Sequence, residues 1–367
     1  MNAEFQEGAL TIALEGKIDS ENAAQVEKEI QYKLDFLDDV DLVFDAKKLQ
    51  YISSAGLRAF LKLKKKLNRP LRFINVSDDV YEIFSVTGFT EILDVQRSIR
   101  RISLKGCEKV SSALNGGIFE LSEDEMVKVF ARNIPLSAIQ KERDYAQAAL
   151  IAGVPTLIPY DVVNSELGYG IVYEKSGAVS LTQALKKSPE LTEPLAKLFA
   201  GLLREMHTTE IPEGKLPDIK DRYREWIREL SDEKDQETKI FSSLIESIPN
   251  SNTYVHGNID LNSVMLKDKE LLLFDMSGSA HGNALFDLQS IFGSLVAIEK
   301  VSPGYCQKTF ELSPNTCAAF WQIFFKHYMN EQQSEVESMN RLILKSFVLK
   351  EKVLNRVEQK NQLKKKA

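Results

Sequence analysis

The sequence predicts two folded domains, an α/β layer followed by an α+β domain. Three observations carry that expectation. Up to about residue 97, short strand patterns alternate with helical ones, the rhythm of a layer with parallel strands. From about residue 110 the pattern changes to hairpins and then to long helical stretches. The chain has 367 residues, 43% hydrophobic and 27% charged, which suits a folded protein of two or three domains.

The elements of the first domain follow in order. Leu10, Ile12 and Leu14 alternate with Thr11 and Ala13, as in a strand. Asp19-Ser20 then caps a helix whose stripe is Ala23, Val26, Ile30 and Leu34. Asp41–Asp45 reads as a short buried strand. A helix follows Ser53-Ser54, with Leu57, Phe60, Leu61 and Leu67 on one face. Leu71–Asn75 is a further strand, and Val80, Ile83 and Phe84 mark a short helix ending before Gly88. Gln96 to Lys109 then carries Arg97, Arg100, Arg101, Lys105 and Lys109 and reads as a linker, placed at residues 98–109, or an edge strand; its charge is that of a solvated connection or of a docking contact between the domains.

In the second domain, Ile118 to Val129 reads as a hairpin turning at Ser122–Glu125. A helix runs from about Ser137 to Ala152, and Val172–Lys175 is a strand entering a loop. Leu195, Leu198, Phe199, Leu202, Leu203 and Met206 make a core helix. Thr253 to Met276 reads as mostly β with a hairpin at Lys267–Glu270, and His281-Gly282 as a turn. The domain is expected to end near residue 335, leaving a C-terminal helix and a frayed basic tail, Lys364–Ala367.

Composition excludes several functions. With 47 basic and 53 acidic residues the net charge is −6, so whole-chain charge makes no case for nucleic acid. No apolar run reaches the ~18 residues of a membrane span, and the polar start is not a signal peptide. Cys107, Cys306 and Cys317 are scattered, with no Cys-x-x-Cys pair, and the four histidines lack metal-ligand spacing. A reduced, cytoplasmic protein is expected.

Ser53 and Ser54 stand at a helix start. The plain role of such serines is capping, worth about 1 kcal/mol. The same amides favour an anion, so a phosphate placed there would be accommodated. Leu14-Glu-Gly-Lys-Ile-Asp19 with Asn22-Ala23, then Tyr51-Ile-Ser-Ser-Ala-Gly-Leu57, then Val86-Thr-Gly-Phe89, resemble the STAS domain of anti-sigma-factor antagonists over residues 5–97. In that family a sensor-controlled kinase phosphorylates a serine at this helix start and thereby releases a bound partner. The resemblance assigns that serine to Ser54, with Ser53 as the runner-up, and implies a protein partner such as an anti-sigma factor or a sensor-type regulator. Lys62, Lys64, Lys65, Lys66 and Arg69 form a basic stripe, read as a solvated face or a contact for an acidic partner.

Phosphoryl transfer needs positioning and charge neutralisation, so a kinase site has a predictable set of parts. Lys128 lies inside an apolar strand, where a lysine is unusual unless paired or exposed, and Glu142 opens a helical stretch that could pair with it. Tyr254-Val-His-Gly-Asn-Ile-Asp-Leu-Asn-Ser-Val-Met265, Leu271–Met276 and Leu285-Phe-Asp-Leu288 resemble the aminoglycoside phosphotransferase-like kinases over roughly residues 110–330. Gly153-Val-Pro155, the hinge-like Val172-Tyr-Glu174 and Leu202–His207 support the match. The resemblance implies a bilobal fold in which Lys128, Glu142, Gly116, Gly117 and Glu174 serve ATP, Asp275 serves Mg2+, and His256 and Asp287 brace the catalytic loop.

The departures matter equally. The family's catalytic aspartate position holds Asn258, and loss of a general base costs about 10²–10⁴-fold. The metal-ligand asparagine position holds Ser263, with Asn262 adjacent. The phosphate loop, Ser111–Gly116, is poor in glycine. Asp260 stands in the wrong register to replace the base. The expectation is a signalling protein that binds a partner through a STAS domain coupled to a pseudokinase. The rival is an active ATP-dependent phosphotransferase, acting on a small molecule or protein and regulated by its STAS domain.

Overall fold

The computed structural model describes residues 2–6, 9–34, 41–68, 70–111, 116–175, 177–230, 236–330 and 333–366. Arg69, Ala367 and most of the glycine-poor loop, residues 112–115, fall outside them. The chain forms two compact units, Met1–Arg101 and Ile102–Ala367.

The first unit is built on β1 (Ala3–Gln6), β2 (Ala9–Ile18), β3 (Asp41–Ile52), β4 (Arg72–Val76) and β5 (Asp94–Arg97), in sheet order β1-β2-β3-β4-β5. β1 is antiparallel to β2, and β2 through β5 are parallel. The helices α1 (Ala23–Leu34), α2 (Ser54–Leu67) and α3 (Asp78–Val86) alternate with the strands. Four rings join strands to helices in the core. Phe44 lies 5.0 Å from Phe60 and 4.9 Å from Phe73, and Phe73 lies 5.2 Å from Phe84.

Two details differ from the sequence pattern. β3 does not stop at Asp45 but continues to Ile52, because Leu49 and Ile52 remain inward while Lys47 and Lys48 face solvent. The adjacent lysines break the alternation where the β2–β3 register shifts. On α2, Leu63 takes the buried position with Leu57 and Phe60, and Leu61 is only half-buried.

The two-residue strand β6 (Arg100–Arg101) closes the first unit. In the second unit, β7 (Lys109–Ser111), β8 (Gly116–Glu120), β9 (Glu125–Phe130), β10 (Pro159–Ser165) and β11 (Gly168–Glu174) pair antiparallel in the order β10-β11-β9-β8-β7. The helix α4 (Leu136–Ile151) links β9 to β10. Its buried Ile139 packs with Phe130, Ile171 and Tyr173 of the sheet.

A helical lobe follows. It contains β12 (Val179–Ser180), α5 (Leu181–Lys187), α6 (Thr192–Met206), α7 (Ile219–Glu229) and α8 (Gln236–Ser247). Next come β13 (Tyr254–Val255), β14 (Val264–Lys267), β15 (Glu270–Leu273) and β16 (Ala280–His281). The chain continues through α9 (Leu285–Phe292), α10 (Ile298–Val301), α11 (Tyr305–Phe310), α12 (Pro314–Tyr328) and α13 (Gln333–Lys366). This is an α/β domain followed by an α+β domain with a sheet-bearing part and a helical lobe.

Three local expectations are corrected here. Thr253–Met276 is less β than its apolar pattern suggests, because residues 256–263 form a loop held by side-chain hydrogen bonds. His281 lies in a strand paired with Tyr254, not in a turn. The terminal segment stays helical to Lys366, on a helix anchored by buried Ile343, Phe347, Val353 and Val357. Among the described residues no helix is long and apolar enough to cross a membrane.

Candidate functional site

In the first unit, Ser53 is the N-cap of α2 and its Oγ accepts a hydrogen bond from the Gly56 N–H at 3.3 Å. Ser54 is the first helical residue and is exposed. The two serines are therefore distinguished by geometry: one hydroxyl serves the helix and the other faces solvent. Gly56 lets this helix start approach the sheet. A Cβ there would lie 2.8 Å from both Ile18 Cγ2 and Ile52 Cγ1. Of the basic stripe, Lys62, Lys65 and Lys66 are exposed, while the Lys64 ammonium donates to the Ile92 carbonyl.

In the second unit, β9 places Lys128 in the interior of its sheet, opposite Ile118 on one side and Ile171 on the other. Its ammonium is buried and donates to Glu142 Oε1 on α4 at 2.6 Å and to Asp275 Oδ1 at 2.6 Å. Burial alone would lower the Lys128 pKa, but the Asp275 and Glu142 carboxylates outweigh it and raise it. Asp275 feels the same opposition with the opposite result: burial pushes its carboxyl up, and Lys128 brings it below the ordinary value. Glu142 is only 3% exposed, and burial pushes its carboxyl up to about 7 against the pull of Lys128. Asp275 is held in a left-handed backbone conformation, φ 59°, just after β15. Such a backbone is tolerated by aspartate but uncommon.

The loop between β13 and β14 is braced from beneath. Asp287 on α9 is fully buried and accepts hydrogen bonds from the His256 and Gly257 amides, both at 2.7 Å. His207 Nε2 lies 3.2 Å from the same carboxylate. Burial opposes the Asp287 charge, but the His207 contact and these amides hold its pKa below the ordinary value. The His256 ring nitrogen Nε2 donates to the Phe274 carbonyl at 2.9 Å, tying the loop to the segment that carries Asp275. Arg222 of α7 adds bonds to the Gly278 and Gly257 carbonyls at 2.8 and 3.4 Å. Sequence pattern assigns no role to Arg222, and it places His207 at the end of a core helix, within the Leu202–His207 stretch of the family resemblance, without giving its side chain a role. Their partners lie 35 to 80 residues away, beyond any local periodicity.

The remaining predicted residues are placed as follows. Asn258 is exposed on the loop, one residue beyond the braced Gly257. Ser263 Oγ accepts the Asp260 N–H at 2.8 Å and donates to the Asp260 carbonyl at 3.0 Å. Asp260 Oδ1 in turn accepts the Asn262 and Ser263 amides at 2.8 and 3.0 Å. Burial raises the Asp260 pKa, against those amides. The Asn262 amide reaches the Thr309 carbonyl at 3.4 Å. Ser263 and Asn262 are thus engaged in shaping the loop and its flank.

Gly116 lies on β8 opposite Phe130, and a Cβ there would meet the Val129 carbonyl oxygen at 1.8 Å. At Gly117 a Cβ would meet Phe119 and Lys109 side chains at 2.9 and 3.0 Å. Close strand packing therefore explains both glycines without a phosphate. Glu174 Oε1 accepts the Ile158 N–H at 3.2 Å. It lines a cavity of about 790 Å³ with Val154, Thr156, Lys267, Asp268 and Leu272. That cavity contains none of Lys128, Glu142, Asn258 or Asp275.

As chemistry, a buried ammonium beside a carboxylate suits a polyphosphate and one divalent cation. Ser263, committed to the Asp260 turn, supplies no further ligand. Among the described residues no group of three or more His, Cys, Asp or Glu side chains is arranged to hold a metal ion.

Comparison with known proteins marks off the first unit. A family model for the STAS domain matches residues 1–102. The putative anti-sigma factor antagonist BtrV of Bordetella bronchiseptica is 36% identical over 95 residues, which are 25% of this chain and 81% of that protein. A choline/ethanolamine kinase family protein from Mesorhizobium loti is similar at 13% identity and a TM-score of 0.41, over 69% of this chain and 87% of that one. A thermostable mutant of aminoglycoside phosphotransferase APH(4)-Ia, in ternary complex with AMP-PNP and hygromycin B, is similar at 13% identity and a TM-score of 0.40, over 66% of this chain and 92% of that one.

Proposed function

The chain belongs to the STAS domain family through its first 102 residues, and on that premise we propose a regulatory protein that binds a protein partner through this domain and couples it to a nucleotide-binding pseudokinase. The partner is an anti-sigma factor or a sensor-type regulator. Ser54 is the switch residue. A phosphate there would add about −1.5 to −2 charges to an exposed helix start and change what the surface attracts. The boundaries that go with this reading are a STAS domain over 1–97, a basic linker over 98–109, a kinase-like domain over 110–335 and a C-terminal helix and tail.

The observation that carries the reading is an intact charge triad beside an absent base. Lys128, Glu142 and Asp275 are joined at 2.6 Å, while Asn258 presents an amide where a phosphotransferase of this kind needs a carboxylate. Lys128 would hold nucleotide phosphates and Asp275 one Mg2+. Bound nucleotide would supply a charged ligand that orders the cleft. An amide at 258 accepts no proton, and that withholds about 10²–10⁴-fold of rate.

The test is an ATP-Mg2+ titration of the full chain, followed by thermal unfolding and by phosphate release. Binding without turnover is the expected result. Robust turnover abolished by Lys128→Ala would overturn the pseudokinase reading. No binding would reduce the second unit to a protein scaffold.

A further inference from the structure

The cavity of about 790 Å³ that Glu174 lines has two walls and no residue of the triad. One wall is the segment after α4, where Gly153, Val154, Pro155 and Ile158 border it. The other is the β14–β15 hairpin, with Lys267 and Leu272. Backbone bonds tie the two walls together. The Leu273 N–H donates to the Pro155 carbonyl at 2.8 Å, and the Leu157 N–H donates to the Leu273 carbonyl at 3.1 Å. Leu150, Val154, Pro155, Ile158 and Leu272 give the space an apolar lining, and Ile158 is 40% exposed, an apolar side chain left open to water. A preformed concavity of about 300–1,000 Å³, apolar in lining and with a few convergent polar groups, is the usual form of a small-molecule site.

The half-buried charges of this lining are of opposite sign and belong to different walls. Glu174 is tied to the first wall, where its Oε1 accepts the Ile158 N–H at 3.2 Å. Lys267 stands on the second. Among the described residues no hydrogen bond or ion pair engages its ammonium, neither from Glu174 nor from Glu270, its cross-strand neighbour. Asp268, Lys269 and Glu270 are exposed on the hairpin turn, where water screens them. We propose that the cavity binds a small apolar zwitterion, an α-amino acid with a branched or aromatic side chain, its ammonium on Glu174 and its carboxylate on Lys267. α4 ends at this cavity through Leu150 and Gly153, and the negative end of a helix favours the ammonium on the wall to which Glu174 is tied. A ligand with a single charge would pair with one wall and leave the opposite charge half-buried without a partner. A polyphosphate would be repelled by Glu174 and would cover none of the apolar lining. Glu174, which the family resemblance gives to ATP, thus serves a different ligand.

The cavity contains none of Lys128, Glu142 or Asp275, so amino-acid binding and ATP binding fail separately. The probe is L-phenylalanine, titrated calorimetrically into the full chain at constant ionic strength. Two analogues accompany it: hydrocinnamate, which lacks the ammonium, and phenethylamine, which lacks the carboxylate. L-phenylalanine is expected to bind, and each analogue to bind about tenfold more weakly or worse, since each forfeits one charged contact. Lys267→Met should weaken L-phenylalanine by about tenfold and leave phenethylamine unchanged. Glu174→Gln keeps an acceptor for the Ile158 N–H; it should weaken L-phenylalanine to a similar degree and leave hydrocinnamate unchanged. The analogue series needs only the wild-type chain, so it tests the site even where a variant fails to fold. Absence of binding by both L-phenylalanine and L-leucine at millimolar concentration would overturn the site. So would analogues that bind as tightly as L-phenylalanine, or undiminished L-phenylalanine binding in either folded variant.

Discussion

Replacing Glu142 with glutamine should make the second unit more stable at pH 8 and leave it nearly unchanged at pH 5. The carboxyl is 3% exposed, and burial raises its pKa from 4.5 to about 7. Between those values the unfolded chain releases a proton that the folded chain keeps. Raising the pH therefore favours unfolding until the folded group also ionises near 7. At about 1.4 kcal/mol per pH unit, the loss approaches 3 kcal/mol between pH 4.5 and pH 7. Glutamine resembles the protonated acid, stays neutral throughout and leaves Lys128 paired with Asp275. Asp260, whose pKa is also raised, adds a slope of the same sign that wild type and variant share. Urea unfolding at several pH values between 5 and 8, read by Trp226 and Trp321, isolates the difference because both tryptophans belong to the second unit. Equal pH slopes in wild type and Glu142→Gln would refute the argument and show that Lys128 keeps Glu142 ionised across this range.

Asn258→Asp, alone or with Ser263→Asn, should raise phosphoryl transfer from little or none, by at most about 10²–10⁴-fold; steady-state phosphate release checks this. A fragment of residues 1–101 should fold on its own, since its core is self-contained, and dispersed amide resonances would show it. Within that fragment Ser53→Ala should cost about 1 kcal/mol of stability, through the lost bond to the Gly56 amide. Ser54→Ala should stay within about 0.5 kcal/mol, as expected of an exposed side chain. Phosphoserine at 54 should release a captured partner while Ser53→Asp does not, and equal retention in pull-downs would count against the switch.

The first unit was legible because its elements repeat a simple pattern. Strand alternation and helical spacing locate β2, β4, α2 and α3 to within a few residues, since one face of each is buried in the phenylalanine core. Local pattern fails where tertiary geometry decides. The Lys47-Lys48 pair hides the second half of β3, and the loop before β14 carries apolar residues such as Ile259 and Leu261 that are buried without being strand. The triad depends on Asp275 meeting Lys128 across 147 residues of sequence, so only resemblance to a known arrangement brings those residues to notice.

The surroundings of Asn258 bear on whether another residue replaces the missing base. Asp260, the nearest acid in sequence, has one carboxylate oxygen holding the Asn262 and Ser263 amides. Turning that carboxylate outward would release the amides and disturb Ser263, whose hydroxyl closes the same turn. Asp287 is fully buried beneath the loop, accepting two further amides and facing His207. Asp275 is tied to Lys128. Each of these carboxylates therefore either builds the loop or completes the triad. Substituting one of them for the base would dismantle the geometry that positions the loop in the first place. On the proposed reading, a base missing at 258 would therefore have to be replaced at the expense of the contacts that position the loop.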